Sequence, residues 1–201
     1  MKVVLKKARG AFLKLSKPEQ VNGQGKPKFS GAFILETDSP FYQENLDKMN
    51  AAIAAVANEK WGKKGAEMLA SLKAKDKVAL HDGDTKADLS GYAGNMFVNA
   101  NVEATKPPTL VDQYRQPVSR QVDEEGASQA DRLFYSGCYV NVIVNIWAQD
   151  NEFGKRINAS LGGVQFAEHG TPFGGSAPAS VDEFEMLETL PEDFTGGDDL
   201  A

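Results

Sequence analysis

The sequence predicts a mainly β chain: a small, partly open barrel of five or six strands, one helical insertion, and an acidic C-terminal tail. Three observations carry this. Within residues 133–148 the even positions Val140, Val142, Val144 and Ile146 form one apolar row, and a period of two is that of a half-buried strand. Leu46, Met49, Ile53 and Val56 instead recur at spacings of three and four, which puts them on one helix face. Finally, residues 181–201 carry eight acidic side chains and no Lys or Arg. A two-sheet sandwich is the competing architecture for the strands.

Residues 3–15 mix Val3, Val4, Leu5, Phe12, Leu13 and Leu15 with lysines around Arg9-Gly10, which predicts a long strand with a bulge near the glycine. Asn22-Gly23-Gln24-Gly25 predicts a hairpin with a loop longer than two residues. The returning strand, 29–36, sets Phe29, Phe33 and Leu35 against Lys28, Ser30 and Ala32. Ser39-Pro40 supplies a cap and a first-turn proline for the helix, and Gly62-Lys63-Lys64-Gly65 separates a second helical piece carrying Met68, Leu69 and Leu72. A short strand over 78–80 runs into Asp82-Gly83. Residues 95–103 then alternate, with Met96, Val98, Ala100 and Val102 on one face. Residues 104–131, with Pro107-Pro108 and Pro117, read as a loop, and 156–166 as a last strand interrupted by Gly162-Gly163. A linker begins near Gly174, with a short helix expected over 181–190. The predicted division is a domain over 1–173 and a linker and tail over 174–201.

Charge is segregated along this chain. The whole sequence has 22 basic and 28 acidic residues, and removing the tail's eight acids leaves a body of net +2. Residues 1–28 hold eight Lys/Arg and the single acid Glu19. Such polarity concerns partners more than folding. One cysteine, Cys138, excludes an intrachain disulfide and suits a reducing compartment. The first ten residues have too short an apolar run for a signal peptide, and no stretch approaches the roughly 20 apolar residues that span a bilayer. A soluble, cytoplasmic protein without membrane contact is expected.

Catalytic signatures are sparse. His81 and His169 lie far apart in sequence and neither is near Cys138, so the zinc-ligand supply is missing. There is no G-x-S-x-G elbow and no G-x-x-x-x-G-K-[ST] loop. Asp82-Gly83-Asp84, with Asp88 nearby, is the carboxylate grouping that would suit a metal-dependent nuclease. The plainer reading is a turn whose aspartates bond their own backbone. No metal, no cofactor and no catalytic residue is therefore expected.

Lysines beside an aromatic on a strand face suit a single-stranded nucleic acid, because cations follow phosphates and rings stack on bases. The odd positions of the strongest strand, Tyr139, Asn141, Ile143, Asn145 and Trp147, mix rings and amides in a way that fits a binding face. Packing under the helix with the amides satisfied locally is the alternative.

Taken together and in order, several segments resemble a family of tailed-phage single-stranded DNA-binding proteins. They are Lys26-Pro27-Lys28-Phe29-Ser30, Leu80-His81-Asp82-Gly83-Asp84-Thr85 and Tyr92-Ala93-Gly94-Asn95-Met96-Phe97-Val98-Asn99-Ala100. Pro107-Pro108, Tyr135-Ser136-Gly137-Cys138-Tyr139-Val140 and Gly162-Gly163-Val164-Gln165 continue the pattern. The resemblance implies an OB-fold-like core, non-catalytic binding of single-stranded DNA, and service in phage replication and recombination inside the infected host cell. A simple OB barrel places its helix after the third strand, whereas here it follows the second. The chain also looks functionally similar to the T-odd phage proteins, whose acidic tail contacts replication partners and competes with DNA. This implies a partner-binding role for Glu192, Asp193, Phe194, Asp198 and Asp199, with Phe194 standing in for an absent terminal aromatic.

On the combined reading, Lys6, Arg9, Lys14, Lys28 and Arg156 contact phosphates. Phe12, Tyr139 and Trp147 stack on bases, with Phe97 and Tyr135 in a second rank, and Asn141 reaches a base edge. The partners expected are single-stranded DNA and phage or host replication and recombination proteins, and the sequence leaves a homodimer open. A virion assembly protein that uses the barrel for subunit contacts is the further rival.

Overall fold

The computed structural model describes residues 1–21 and 24–174. The tail residues Glu192, Asp193, Phe194, Asp198 and Asp199, and the helix expected over 181–190, lie outside the described residues.

Seven strands form one sheet: β1 (Lys2–Val21), β2 (Gln24–Leu35), β3 (Leu80–Asp82), β4 (Met96–Glu103), β5 (Thr109–Val111), β6 (Tyr139–Asn151) and β7 (Gly154–Glu168). Their order is β3-β4-β2-β1-β6-β7-β5, and a parallel pairing of Asn101 with Ser160 joins β4 back to β7. That last contact closes β1, β2, β4, β7 and β6 into a ring. Its connectivity, first strand to second and fourth, third to fifth in parallel, is that of an OB-fold-like barrel. The sandwich reading is thereby excluded.

The barrel is filled from every strand. Leu5, Phe33, Val98, Val140, Val142, Val144 and Ile146 are all fully buried, each stabilising the fold by roughly 1.5–3 kcal/mol. Helix α1 (Tyr42–Trp61) packs on β1, β2, β6 and β7 and buries Met49, Ala52, Ile53 and Val56. Helix α2 (Gly65–Ala74) follows a single 3-10 turn at Gly62–Lys64. The helix begins later than expected. Ser39 Oγ accepts from the Phe41 amide within a turn, and α1 begins at Tyr42 without a side-chain cap.

Strand β1 bulges on both sides of Gly10 rather than at it. Lys7 and Phe12 have positive φ, 48° and 50°, and the pairing register shifts between Leu5 and Ala8 and between Ala11 and Lys14. A bulge frees backbone groups that must find partners. At the first bulge, Asn45 of α1 clasps Lys6: its Oδ1 accepts from the Lys6 amide (2.9 Å) and its Nδ2 donates to the Lys6 carbonyl (2.8 Å). Asn141 Oδ1 accepts from the Lys7 amide at 2.9 Å. At the second, Ser136 Oγ accepts from the Phe12 amide at 2.9 Å.

Other expectations change in detail. Val21 pairs with Gln24, so β1 and β2 both run further than their apolar pattern suggested, while Asn22 and Gly23 of the expected loop lie outside the described residues. The segment 104–131 is not a bare loop: it contains β5, which runs parallel to β7, and leads into helix α3 (Gln129–Leu133). A reciprocal Ser128/Asp131 capping box starts α3, and the donated hydrogen bonds from Ser128 and Ser16 hold the Asp131 carboxyl below the usual carboxylate range. The strongest strand consequently begins at Tyr139, not Leu133. β7 runs unbroken through Gly162-Gly163, with a register shift between Ile143 and Val144 of its partner. Among the described residues no helix is long and apolar enough to cross a membrane.

Candidate nucleic-acid interface

The outer faces of β2 and β4 lie side by side, Ala32 opposite Asn99 and Ser30 opposite Asn101. The row then crosses the closing seam. Asn101 meets Ser160 of β7, and Ser160 pairs with Asn145 of β6. Trp147, opposite Asn158, caps this row and donates its indole N–H to Ser160 Oγ at 2.9 Å. A surface built of small polar side chains is level enough to admit an extended chain.

Two open troughs follow this row. One, of about 550 Å³, lies over β2 and β4 between Phe12, Lys26, Lys28 and Lys86. The other, of about 420 Å³, runs from Lys28 over the seam to Lys77, Trp147 and Arg156. They share Lys28, Asn99 and Asn101 and so read as one continuous groove. Among the described residues, Lys26, Lys28, Lys77, Lys86 and Arg156 make no ion pair with a carboxylate. Asp76, which also lines the groove, is engaged by His81 Nδ1 at 2.7 Å. Lys86 stands over the rings of Phe97 (5.0 Å) and Tyr92 (5.7 Å), a contact that positions an ammonium while leaving its charge available. Phe12 (55% exposed) and Trp147 (43%) project as large rings at the two ends.

Of the residues selected from sequence, the groove brings together Lys28, Arg156, Phe12 and Trp147. The others sit elsewhere, each for a visible reason. Lys6 pairs with Glu44 at 2.9 Å beside α1. Lys14 pairs with Glu19 at 3.0 Å on the hairpin arm. Arg9 is a strut: it reaches Glu36 (2.9 Å), the Thr171 carbonyl (3.0 Å) and the Gly137 carbonyl (3.3 Å), with its guanidinium 4.4 Å from the Phe173 ring centroid. Tyr139 lies under Arg9 and Lys7. Asn141 spends its oxygen on the first bulge and its nitrogen on Gln165 (3.0 Å), which is the locally satisfied alternative. Tyr135 donates to the Gly170 carbonyl at 3.0 Å and stacks on His169. Phe97 is 1% exposed beneath His81, Lys86 and Tyr92, so the expected stacking plate is a buried prop.

Sequence reasoning missed Asn99 and Asn101, although the alternation that buried Val98 and Ala100 already put both amides on the outer face. Lys77 and Lys86 carried no signal, because only the pairing of β3 with β4 brings their loops to the groove. Phe153, 80% exposed at the β6–β7 hairpin end, was also passed over.

Asp82 and Asp84 are occupied by their own loop. Asp82 Oδ1 accepts from the Asp84 amide (2.9 Å), and Asp84 Oδ1 from the Gly94 amide (2.7 Å). Between them, Gly83 is pressed against the Tyr92 and Asn95 carbonyls, where a Cβ would overlap both oxygens. Two of the segments that carried the resemblance, 80–85 and 92–100, thus lock together and fix Tyr92 beneath the groove.

Comparison with known proteins agrees with this fold. The family described as Enterobacter phage Enc34, ssDNA-binding protein, matches residues 1–195. "Putative protein p50" of Acyrthosiphon pisum secondary endosymbiont phage 1 is 35% identical over 195 residues, covering 96% of this chain and 97% of that one. The single-stranded DNA-binding protein from bacteriophage Enc34, solved in complex with ssDNA, shares the fold with a TM-score of 0.68 at 24% identity, over 86% of this chain and 89% of that one. Bacteriophage T7 gp2.5, a single-stranded DNA-binding protein, matches at 0.52 and 12% identity, over 92% and 98%.

Proposed function

Because the chain belongs to the Enc34 family of phage single-stranded DNA-binding proteins, matched from residue 1 to 195, we propose that it binds single-stranded DNA without catalysis, along the groove between Phe12 and Trp147. One observation supports the placement: five cations from separate parts of the chain converge on a single polar trough, and among the described residues none of the five is paired with a carboxylate. Lysines without carboxylate partners neutralise phosphates and so release the counterions condensed on the strand. Phe12 and Trp147 offer ring faces for bases of any sequence, and Asn99 and Asn101 supply both donors and acceptors for base edges or sugars. The second and third strands of an OB-fold-like barrel are where such barrels hold oligonucleotides, and β2 and β4 occupy those positions.

The nuclease alternative loses its carboxylates to the backbone of their own loop. The non-catalytic reading extends to a role in phage replication and recombination in the host cytoplasm. Gly174, the last described residue, lines the pocket beside Phe12, so the described part of the chain ends close to the groove. That position suits a tail that competes with DNA for the groove and recruits replication proteins through Glu192, Asp193, Phe194, Asp198 and Asp199.

Titration with labelled oligo-dT in Mg²⁺ tests the reading. The strand is expected to be bound and recovered intact, Trp147→Ala to weaken binding by about 1–3 kcal/mol, and a chain ending at Gly174 to bind more tightly at low salt. Cleaved product, or an unchanged affinity for Trp147→Ala, counts against it.

A further inference from the structure

Tyr92 is the residue that the groove alone does not explain. Its side chain is 1% exposed, and among the described residues its hydroxyl is the one buried side-chain polar atom without a hydrogen-bond partner. A buried donor left unsatisfied is costly and calls for a reason. Burial also pushes the phenol pKa up to about 12, so the hydroxyl remains a donor throughout the neutral range.

Beside Tyr92 lies a second, smaller cavity, about 190 Å³, mostly apolar, between Phe12, Leu89, Ser90, Ser136 and Phe173. Phe12 and Tyr92 border both this cavity and the groove over β2 and β4, with their ring centroids 6.4 Å apart, and so form the partition between the two. Phe12 is the side of that partition able to move: it is more than half exposed and sits on a bulge at φ 50°, a conformation stored at a cost in side-chain-bearing residues. The far wall is fixed. Gly91, at φ 82°, lets the Phe173 ring pack where a Cβ would collide with it, and the Arg9 guanidinium lies 4.4 Å from that ring's centroid.

We propose that this cavity receives one nucleobase of the bound strand: Phe12 swings aside to stack on it, and the Tyr92 hydroxyl donates to an acceptor on its edge. The inference rests on the single-strand reading above and adds a subsite to it. Size supports a single base, since pockets for larger organic ligands run about 300–1,000 Å³. Chemistry supports it too, because a mostly apolar slot with the Tyr92 phenol and the Ser90 and Ser136 hydroxyls in its lining matches a heterocycle that carries ring or carbonyl acceptors. Sugar or phosphate would find no cation inside the slot.

The test compares Tyr92→Phe with the parent, full-length in both cases, on oligo-dT and on an abasic strand of equal length. Removing an unpaired hydroxyl while keeping the ring leaves the fold intact, and the melting temperature is expected to stay level or rise. Affinity for oligo-dT is expected to fall about three- to tenfold, as for loss of one neutral hydrogen bond, with affinity for the abasic strand unchanged. Equal affinity for oligo-dT, or an equal loss on both strands, overturns the subsite. A parent protein that fails to bind oligo-dT at all overturns the underlying reading instead, so the two failures are told apart.

Discussion

Replacing Lys26, Lys28 and Lys86 together by alanine is expected to weaken oligo-dT binding about a hundredfold at 0.1 M salt. Each phosphate neutralised on a single strand contributes a slope of about 0.7 to the dependence of log affinity on log salt. Three lost contacts therefore remove about 2 from the slope, and the affinities of parent and variant converge as salt approaches molar levels. All three lysines line the trough over β2 and β4 and lack a carboxylate partner among the described residues, so their removal orphans no acid and should leave thermal stability nearly unchanged. A salt titration by fluorescence anisotropy reads both affinity and slope. A parallel loss at every salt concentration would mean that the lysines act through the fold and not through phosphates.

Arg9→Ala is expected to give the opposite pattern: a loss of stability of about 3 kcal/mol, with little change in salt slope. Arg9 and Glu36 are only 18% and 15% exposed in their side chains, and removing one partner of a largely buried pair strands the other. The Thr171 and Gly137 carbonyls lose their donor at the same time, and Phe173 loses the cation that backs it. Chemical denaturation measures the first effect and the anisotropy titration the second. A stable Arg9→Ala protein with a reduced slope would return Arg9 to the phosphate contacts that sequence alone suggested.

These two predictions separate what was legible in the sequence from what was not. The strands, the amphipathic helix and the buried row Val140–Ile146 were readable because burial imposes a period, and Trp147 stood out by breaking it with a large ring on the polar side. Cations carry no such mark. Lys6, Arg9 and Lys14 are close in sequence to Phe12, yet Glu44 and Glu36 approach two of them only through the fold. Lys77 and Lys86 reach the groove across the pairing of β3 with β4, a contact between segments whose adjacency no local pattern announces. Asn141 illustrates the same limit from the other side. An amide among aromatics reads as a base contact until the bulge at Lys7 reveals an unpaired amide for it to serve. Bulges are the feature that most altered the site, because each one reassigns neighbouring polar side chains to the backbone.

Ultraviolet cross-linking of the full chain to short oligo-dT, with the attached residues mapped by mass spectrometry, tests the groove most directly. The account predicts attachment at Phe12 and Trp147, the two exposed rings at its ends. Attachment concentrated instead on Tyr135 and Tyr139, or on the outer face of α1, would contradict it.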